Sequence, residues 1–191
     1  DLTADAIEQA SIDETLHGRP VRMEGVVTYI DPSWGLLFVQ DRTGGLYVNI
    51  DGLETRPSVG ERIRLTGVVA SPGIGVDSVQ VQTLGEASLP RPDQRTLRSL
   101  KLERHVADWV QVEGVVRDVR TEARRLVITL VGREERLVTR VLRFPERGER
   151  ALVGAKVQVR GAVARLERVA DGPNKHQLYV PSLQQVKVMR P

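Results

Sequence analysis

The chain repeats itself, and the repeat constrains the fold more than any other feature. Residues 21–27 read Val-Arg-Met-Glu-Gly-Val-Val, and residues 110–116 read Val-Gln-Val-Glu-Gly-Val-Val. A second echo follows each. Residues 59–69 read Val-Gly-Glu-Arg-Ile-Arg-Leu-Thr-Gly-Val-Val, and residues 153–163 read Val-Gly-Ala-Lys-Val-Gln-Val-Arg-Gly-Ala-Val. Gly25, Gly60 and Gly67 thus recur as Gly114, Gly154 and Gly161, in order and at a nearly constant offset. Such self-similarity marks duplication. The repeated unit is too long for a solenoid, so each copy must close a core of its own. The chain has 191 residues, which divides into two small domains. The expected boundaries are a first domain over 1–88, a linker over 89–95 and a second domain over 96–191.

Within each copy the apolar residues alternate as in strands. In the first, residues 4–17 read as helical up to Gly18, and strands are expected over 21–30, 36–40, 46–50, 62–70 and 79–84. Asp-Pro-Ser-Trp-Gly at 31–35, Asp-Arg-Thr-Gly-Gly at 41–45 and Ser-Pro-Gly-Ile-Gly at 71–75 are turns. The second copy follows with a short helix over 96–102 and strands over 109–119, 125–131, 137–144, 156–166, 177–180 and 186–189. The first and fourth strands of each copy carry an internal glycine, where a bulge or barrel bend is expected. Five strands, the first and fourth long and the second and third a hairpin, are the pattern of an OB-like barrel. The expected fold class is therefore all-β with short leading helices, as two tandem OB-like five-stranded barrels.

Composition narrows the functions. Hydrophobic residues make up 40% and charged residues 28%, as in soluble globular domains. No apolar run approaches the ~18 residues that span a bilayer. The chain opens on Asp1 with neither initiator methionine nor a leader pattern, so a piece of a longer protein is expected. Cysteine is absent, which excludes disulfides, thiolate zinc and a cysteine nucleophile. Charge is unevenly divided. Residues 1–90 hold six Arg, no Lys and 13 Asp plus Glu; residues 91–191 hold 22 Arg plus Lys and 12 Asp plus Glu. The basic half suits a polyanion or a docking surface, and equally a solvated face.

Neither a catalytic constellation nor a metal or cofactor site stands out. His17, His105 and His176 are scattered near element ends and read as surface or capping residues. Asp31 and Asp41 flank one strand, but aspartate at a turn start explains both. The lone Gly73-Ile-Gly75 pair is too short for a phosphate loop. The aromatics carry more. Leu37, Val39, Leu46, Val48 and Ile50 take the inward positions, which turns Phe38 and Tyr47 outward with Trp34 beside them. That face, with Gln40 and Asn49 as polar groups, is the candidate ligand site: Trp34, Phe38, Gln40, Tyr47 and Asn49. Single-stranded nucleic acid needs stacking and phosphate neutralisation together. Here the rings lie in the acidic copy, which weighs against it. The nucleic-acid alternative rests on Arg120, Arg124, Arg125 and Arg140 of the second copy. The bland alternative has Phe38 and Tyr47 packing within the protein.

The stretches at 18–32 and 36–48, above all Phe-Val-Gln-Asp at 38–41, together with 109–116 and 178–186, resemble a module of bacterial sensor proteins. The resemblance covers nearly the whole chain. In that family the paired barrels follow a signal segment and precede a transmembrane helix and an intracellular histidine kinase or diguanylate cyclase. It implies an extracytoplasmic, periplasmic sensor region of an inner-membrane protein, tied to the membrane through flanking segments only. Such a region has no catalysis or cofactor of its own. Its partners would be a small ligand or a periplasmic protein, with a homodimer as the way protomers are held in register. A purely structural spacer is the third reading, marked by a concentration-dependent mass and no ligand.

Overall fold

The duplication is visible strand by strand in the computed structural model, which describes residues 1–71, 75–102, 107–145, 149–164 and 176–190. The chain divides into two compact units. One takes Asp1–Arg91 with Val106–Trp109, and the other takes Pro92–His105 with Val110–Pro191.

The first unit opens with helix α1 (Ala4–Ile12), capped by Thr3, whose hydroxyl accepts the Ala6 N–H at 3.3 Å. The expected helix over 4–17 is shorter. Asp13 is extended, and its carboxylate accepts the Thr15 N–H at 2.9 Å, which starts a separate 3-10 turn over Glu14–Leu16. The strands are β1 (Pro20–Asp31), β2 (Leu36–Gln40), β3 (Gly45–Asn49), β4 (Glu61–Val69) and β5 (Val76–Glu86). They lie in the order β3-β2-β1-β4-β5, and β5 curls back toward β3. That is the OB arrangement with a loosely closed seam. The core gathers the inward positions Met23, Val27, Leu37, Val39, Leu46, Val48, Ile63 and Leu65 with Ala4 and Ile7 of α1.

In the second unit, β6 (Asp93–Gln94) takes residues expected in the linker and pairs in parallel with the start of β7 (Trp109–Glu122). Helix α2 (Leu97–Leu102) comes between them, followed after β7 by β8 (Arg125–Val131), β9 (Arg136–Arg143), β10 (Lys156–Ala164), β11 (Gln177–Ser182) and β12 (Val186–Arg190). Here the barrel closes fully: β10 also pairs with β7, and β9 and β11 form a parallel ladder. Leu97, Leu100, Val112, Leu126, Ile128, Val157 and Val180 belong to its core. Residues 165–166 of the expected fourth strand, Pro72–Ile74 of the expected turn and His105 lie outside the described residues.

The internal glycines act differently from the expectation of bends at their own positions. The first-strand bulges fall just after them, between Val27 and Tyr29 in one unit and between Val116 and Asp118 in the other. Gly25 instead permits close approach: a Cβ there would sit 2.8 Å from the Gln40 carbonyl oxygen. Gly67 does sit in a register shift, between Thr66 and Val68.

Candidate functional site

The hairpin β2–β3 and its turn hold most of the residues singled out in the first unit. Asp41 organises the turn. Its Oδ1 accepts the Thr43 N–H and the Thr43 hydroxyl, each at 2.7 Å, and the Gly44 N–H at 3.2 Å. Its Oδ2 accepts the Ala4 N–H at 3.0 Å, which ties the first turn of α1 to the hairpin. Burial pushes the Asp41 carboxyl up, but the donors of Thr43, Ala4 and Gly44 outweigh it and hold it below its ordinary value. Asp41 is thus a structural hub.

Gln40 and the paired glycines bind a distant segment of the same unit. Gln40 Oε1 accepts the Trp109 N–H at 2.6 Å, and Asp108 Oδ1 accepts the Gly45 N–H at 2.8 Å. Ala107, at φ 71°, lays its carbonyl against the Gly45 Cα, where any Cβ would collide with it. A Cβ on Gly44 would meet the carboxylate oxygens of Asp108 and Asp5 at 3.1 Å.

The aromatic expectation is half right. Phe38 and Tyr47 do alternate away from the barrel core. They pair in register with each other, and Phe38 with Tyr29, so three rings form one row across β1, β2 and β3. Ring centroids are 5.6 Å apart for Tyr29–Phe38 and 5.7 Å for Phe38–Tyr47. The row is closed to solvent, however: Tyr29 and Phe38 are 0% exposed and Tyr47 is 8% exposed. A contiguous row of three rings is a large apolar area, and the fold removes it from water. The candidate ligand site expected at Trp34, Phe38, Gln40, Tyr47 and Asn49 is therefore corrected in one respect: its outward face is not open. Phe38 and Tyr47 are buried, Trp34 is half-buried, Gln40 holds Trp109, and Asn49 Oδ1 accepts the Asp51 N–H at 2.8 Å. The duplicated bulge maps the row onto Asp118, Thr129 and Val138 of the second unit, which are not aromatic.

Asp31 and Asp41 each serve their own turn. Asp31 is buried and accepts from Ser33 Oγ at 2.8 Å and from the Tyr29 hydroxyl at 3.3 Å. His17 Nε2 lies 2.8 Å from the Ser11 carbonyl at the end of α1, in the capping role expected of it.

The arginines of the alternative site are not assembled into one open patch. Arg140 is buried, with Nε donating to Gln177 Oε1 at 2.6 Å and a terminal nitrogen donating to Glu122 at 3.2 Å. Arg125 is buried and donates to the Ala123 carbonyl. Arg120 is exposed but sits between Asp118 at 3.3 Å and Glu122 at 3.2 Å. Burial raises the Glu122 carboxyl, and Arg140 and Arg120 more than offset this and lower it. Arg124 is exposed at the β7–β8 hairpin tip, at φ 61°. No group of three metal-ligating side chains occurs among the described residues, and none of their helices is long and apolar enough to cross a membrane.

No family model matches the chain, and no curated protein matches it in sequence. Solved structures match at low identity. A murine DNA-binding protein bound with double-stranded DNA is 13% identical, with TM-score 0.39, over 90% of this chain and 100% of that one. The HIN1 domain of p202 in complex with a 12-mer double-stranded DNA is 12% identical, with TM-score 0.38, over 96% and 99%. A protein described as an aspartyl-tRNA synthetase from Leishmania major is 11% identical, with TM-score 0.41, over 54% of this chain; the match spans 22% of that protein's chain. Likenesses this distant carry no statement about what this chain binds.

Proposed function

We propose that this chain is a non-catalytic, partner-binding region on the extracytoplasmic side of a bacterial transmembrane signalling protein of the histidine kinase or diguanylate cyclase kind. The observation that supports this reading is the use made of the Phe-Val-Gln-Asp stretch, the most specific part of the resemblance. Phe38 joins the buried ring row, Val39 enters the core, Gln40 holds Trp109, and Asp41 holds the turn and α1. All four residues maintain the shape of the module. That is what a region transmitting a change of position requires. The amide oxygens of Gln40 and Asn49 accept backbone N–H groups of this chain, from Trp109 and Asp51, and this reading assigns recognition to the outer surface.

The test is to read the coding sequence on both sides of the chain and to fuse alkaline phosphatase to the native protein in place of whatever follows residue 191. A signal segment upstream, a membrane span with kinase or cyclase motifs downstream and an active fusion are expected. A reading frame with neither flank and an inactive fusion would overturn the proposal.

Single-stranded nucleic acid is the second reading, favoured by one observation. The excess of 22 Arg plus Lys over 12 Asp plus Glu in residues 91–191 comes with exposed Arg117, Arg120 and Arg124 along β7 and its hairpin tip. It requires oligonucleotide binding that weakens steeply with salt. Failure to bind a labelled oligonucleotide at low salt would remove it.

A further inference from the structure

The two barrels differ at one seam. In the second unit the third and fifth strands, β9 and β11, are joined by a parallel ladder from Gln177↔Val138 to Ser182↔Arg143. In the first unit no ladder joins the equivalent β3 and β5 among the described residues. Beside that seam a cleft of about 580 Å³ lies between the segment that follows β3, residues 49–55, and residues 76–81 of β5.

The strand along this cleft is an edge strand, irregular around Ser78, which has φ of 53°, and again around Leu84, and regular between them from Gln80 to Thr83. β5 is 11 residues long and lies at the end of its sheet. It contains no Lys, Arg or Pro, and its charged residues, Asp77 and Glu86, are both acidic, so a basic incoming strand meets no like charge along it. It alternates Val79 and Val81 with Gln80 and Gln82, and from Gln82 onward every residue is exposed. The lining has one sign of charge. Asp51, Glu54 and Asp77 contribute carboxylates and no Lys or Arg lines the cleft; Arg56 lies beside it, donating to the Ile50 carbonyl at 3.4 Å. Residues 1–90, which include the whole cleft, hold 13 acidic residues against six arginines.

We infer that this seam is a docking site for an extended, basic segment of a partner protein, which adds as a strand beside β5. Main-chain hydrogen bonds from β5 supply the affinity, and the three carboxylates select lysine or arginine at alternate positions of the incoming strand. The inference names the partner surface of the module proposed above and rests on that reading for its occupant being a protein.

The experiment uses the 191-residue chain and a labelled ten-residue peptide, chosen as about one β5 length, alternating Lys and Val. Fluorescence anisotropy reads binding, and hydrogen exchange reads the β5 amides. Binding is expected, with added protection at residues 77–81. Affinity should fall by about tenfold with the exposed-residue variant Glu54→Lys combined with Asp77→Lys. The same peptide N-methylated at alternate residues should also bind more weakly, although its charge is unchanged. Absence of binding, binding indifferent to N-methylation, or protection elsewhere overturns the inference. So does a concentration-dependent doubling of mass that the charge reversal abolishes, which would give the seam to a second copy of the chain. These measurements do not depend on where the protein resides in the cell, so their failure is distinguishable from failure of the membrane-receptor reading.

Discussion

Gln40 Oε1 accepts the backbone N–H of Trp109 at 2.6 Å, a contact between residues 69 positions apart. Trp109 is 1% exposed, so its N–H has little access to water. Gln40→Leu preserves approximate volume and removes the acceptor. The variant should lose about 1–3 kcal/mol, the cost of an unsatisfied buried donor. Urea denaturation would measure it, and a midpoint equal to that of the parent would show that this bond does not anchor the segment.

The paired glycines of the hairpin should respond unequally to alanine. At Gly45 the new Cβ would collide with the backbone carbonyl of Ala107, which cannot rotate aside. At Gly44 it would meet the exposed Asp5 carboxylate and the half-buried Asp108 carboxylate, each at 3.1 Å, and side-chain ends give way more readily than a backbone carbonyl. Gly45→Ala is expected to cost about 3 kcal/mol or more, and Gly44→Ala about 1 kcal/mol or less. Equal costs in thermal denaturation would mean that residues 107–109 are not held against the hairpin.

Phe38→Ala separates a packing role from a binding role. Phe38 is 0% exposed, with rings on two neighbouring strands at 5.6 and 5.7 Å. A buried phenylalanine truncated to alanine typically loses about 3–5 kcal/mol. A soluble variant that keeps parental stability but loses a ligand response would restore the open-site reading.

Periodicity made the barrels legible, because core and outer positions alternate over Leu37–Gln40 and again over Leu46–Ile50, and the duplication repeats the pattern. The same periodicity correctly turned Phe38 and Tyr47 away from the core. It is silent on whether a second layer covers the outer face, since a period of two reports only which side a residue occupies. Asp41 was legible as a turn aspartate, but its hold on Ala4 and that of Gln40 on Trp109 were not, because those partners lie 37 and 69 positions away. Gly45 was legible as a turn residue, but its need for the absence of a Cβ comes from the Ala107 carbonyl. The lack of a ladder between β3 and β5 among the described residues was also hidden. β3 and β5 have ordinary strand patterns, and a ladder that fails to form leaves no mark on either.

Asp41 should contribute to the acid limb of stability. Its folded-state pKa lies below the ordinary value of 3.8, because the donors around it outweigh the opposing effect of burial. A depressed carboxylate stabilises fully above its unfolded value and loses that contribution as pH falls through its folded value. Asp41→Asn should therefore be less stable than the parent near about pH 7, and the gap should narrow below about pH 4. Asp13, Glu24, Glu113 and Glu122 are lowered as well, so the comparison must be between parent and variant rather than on the parent alone. Urea midpoints taken at several pH values give the result, and a gap constant down to about pH 3 would contradict it.

The β7–β8 hairpin tip stores strain that a substitution can release. Glu122 pairs with Arg125, and the two residues between them, Ala123 and Arg124, have φ of 47° and 61°. A two-residue turn with positive φ at both central positions favours Asn-Gly. Ala and Arg there cost roughly 1–2 kcal/mol each relative to residues that adopt this region freely. The double variant Ala123→Asn, Arg124→Gly is expected to raise stability by about 1–2 kcal/mol, since part of the strain is shared with the flanking strands. The same variant removes the exposed tip arginine. If the second unit binds single strands through its hairpin, affinity for a labelled oligonucleotide should fall as stability rises, and the salt slope should shrink by about one unit. A gain in stability with unchanged oligonucleotide behaviour would mean that the Ala-Arg tip does not serve polyanion binding.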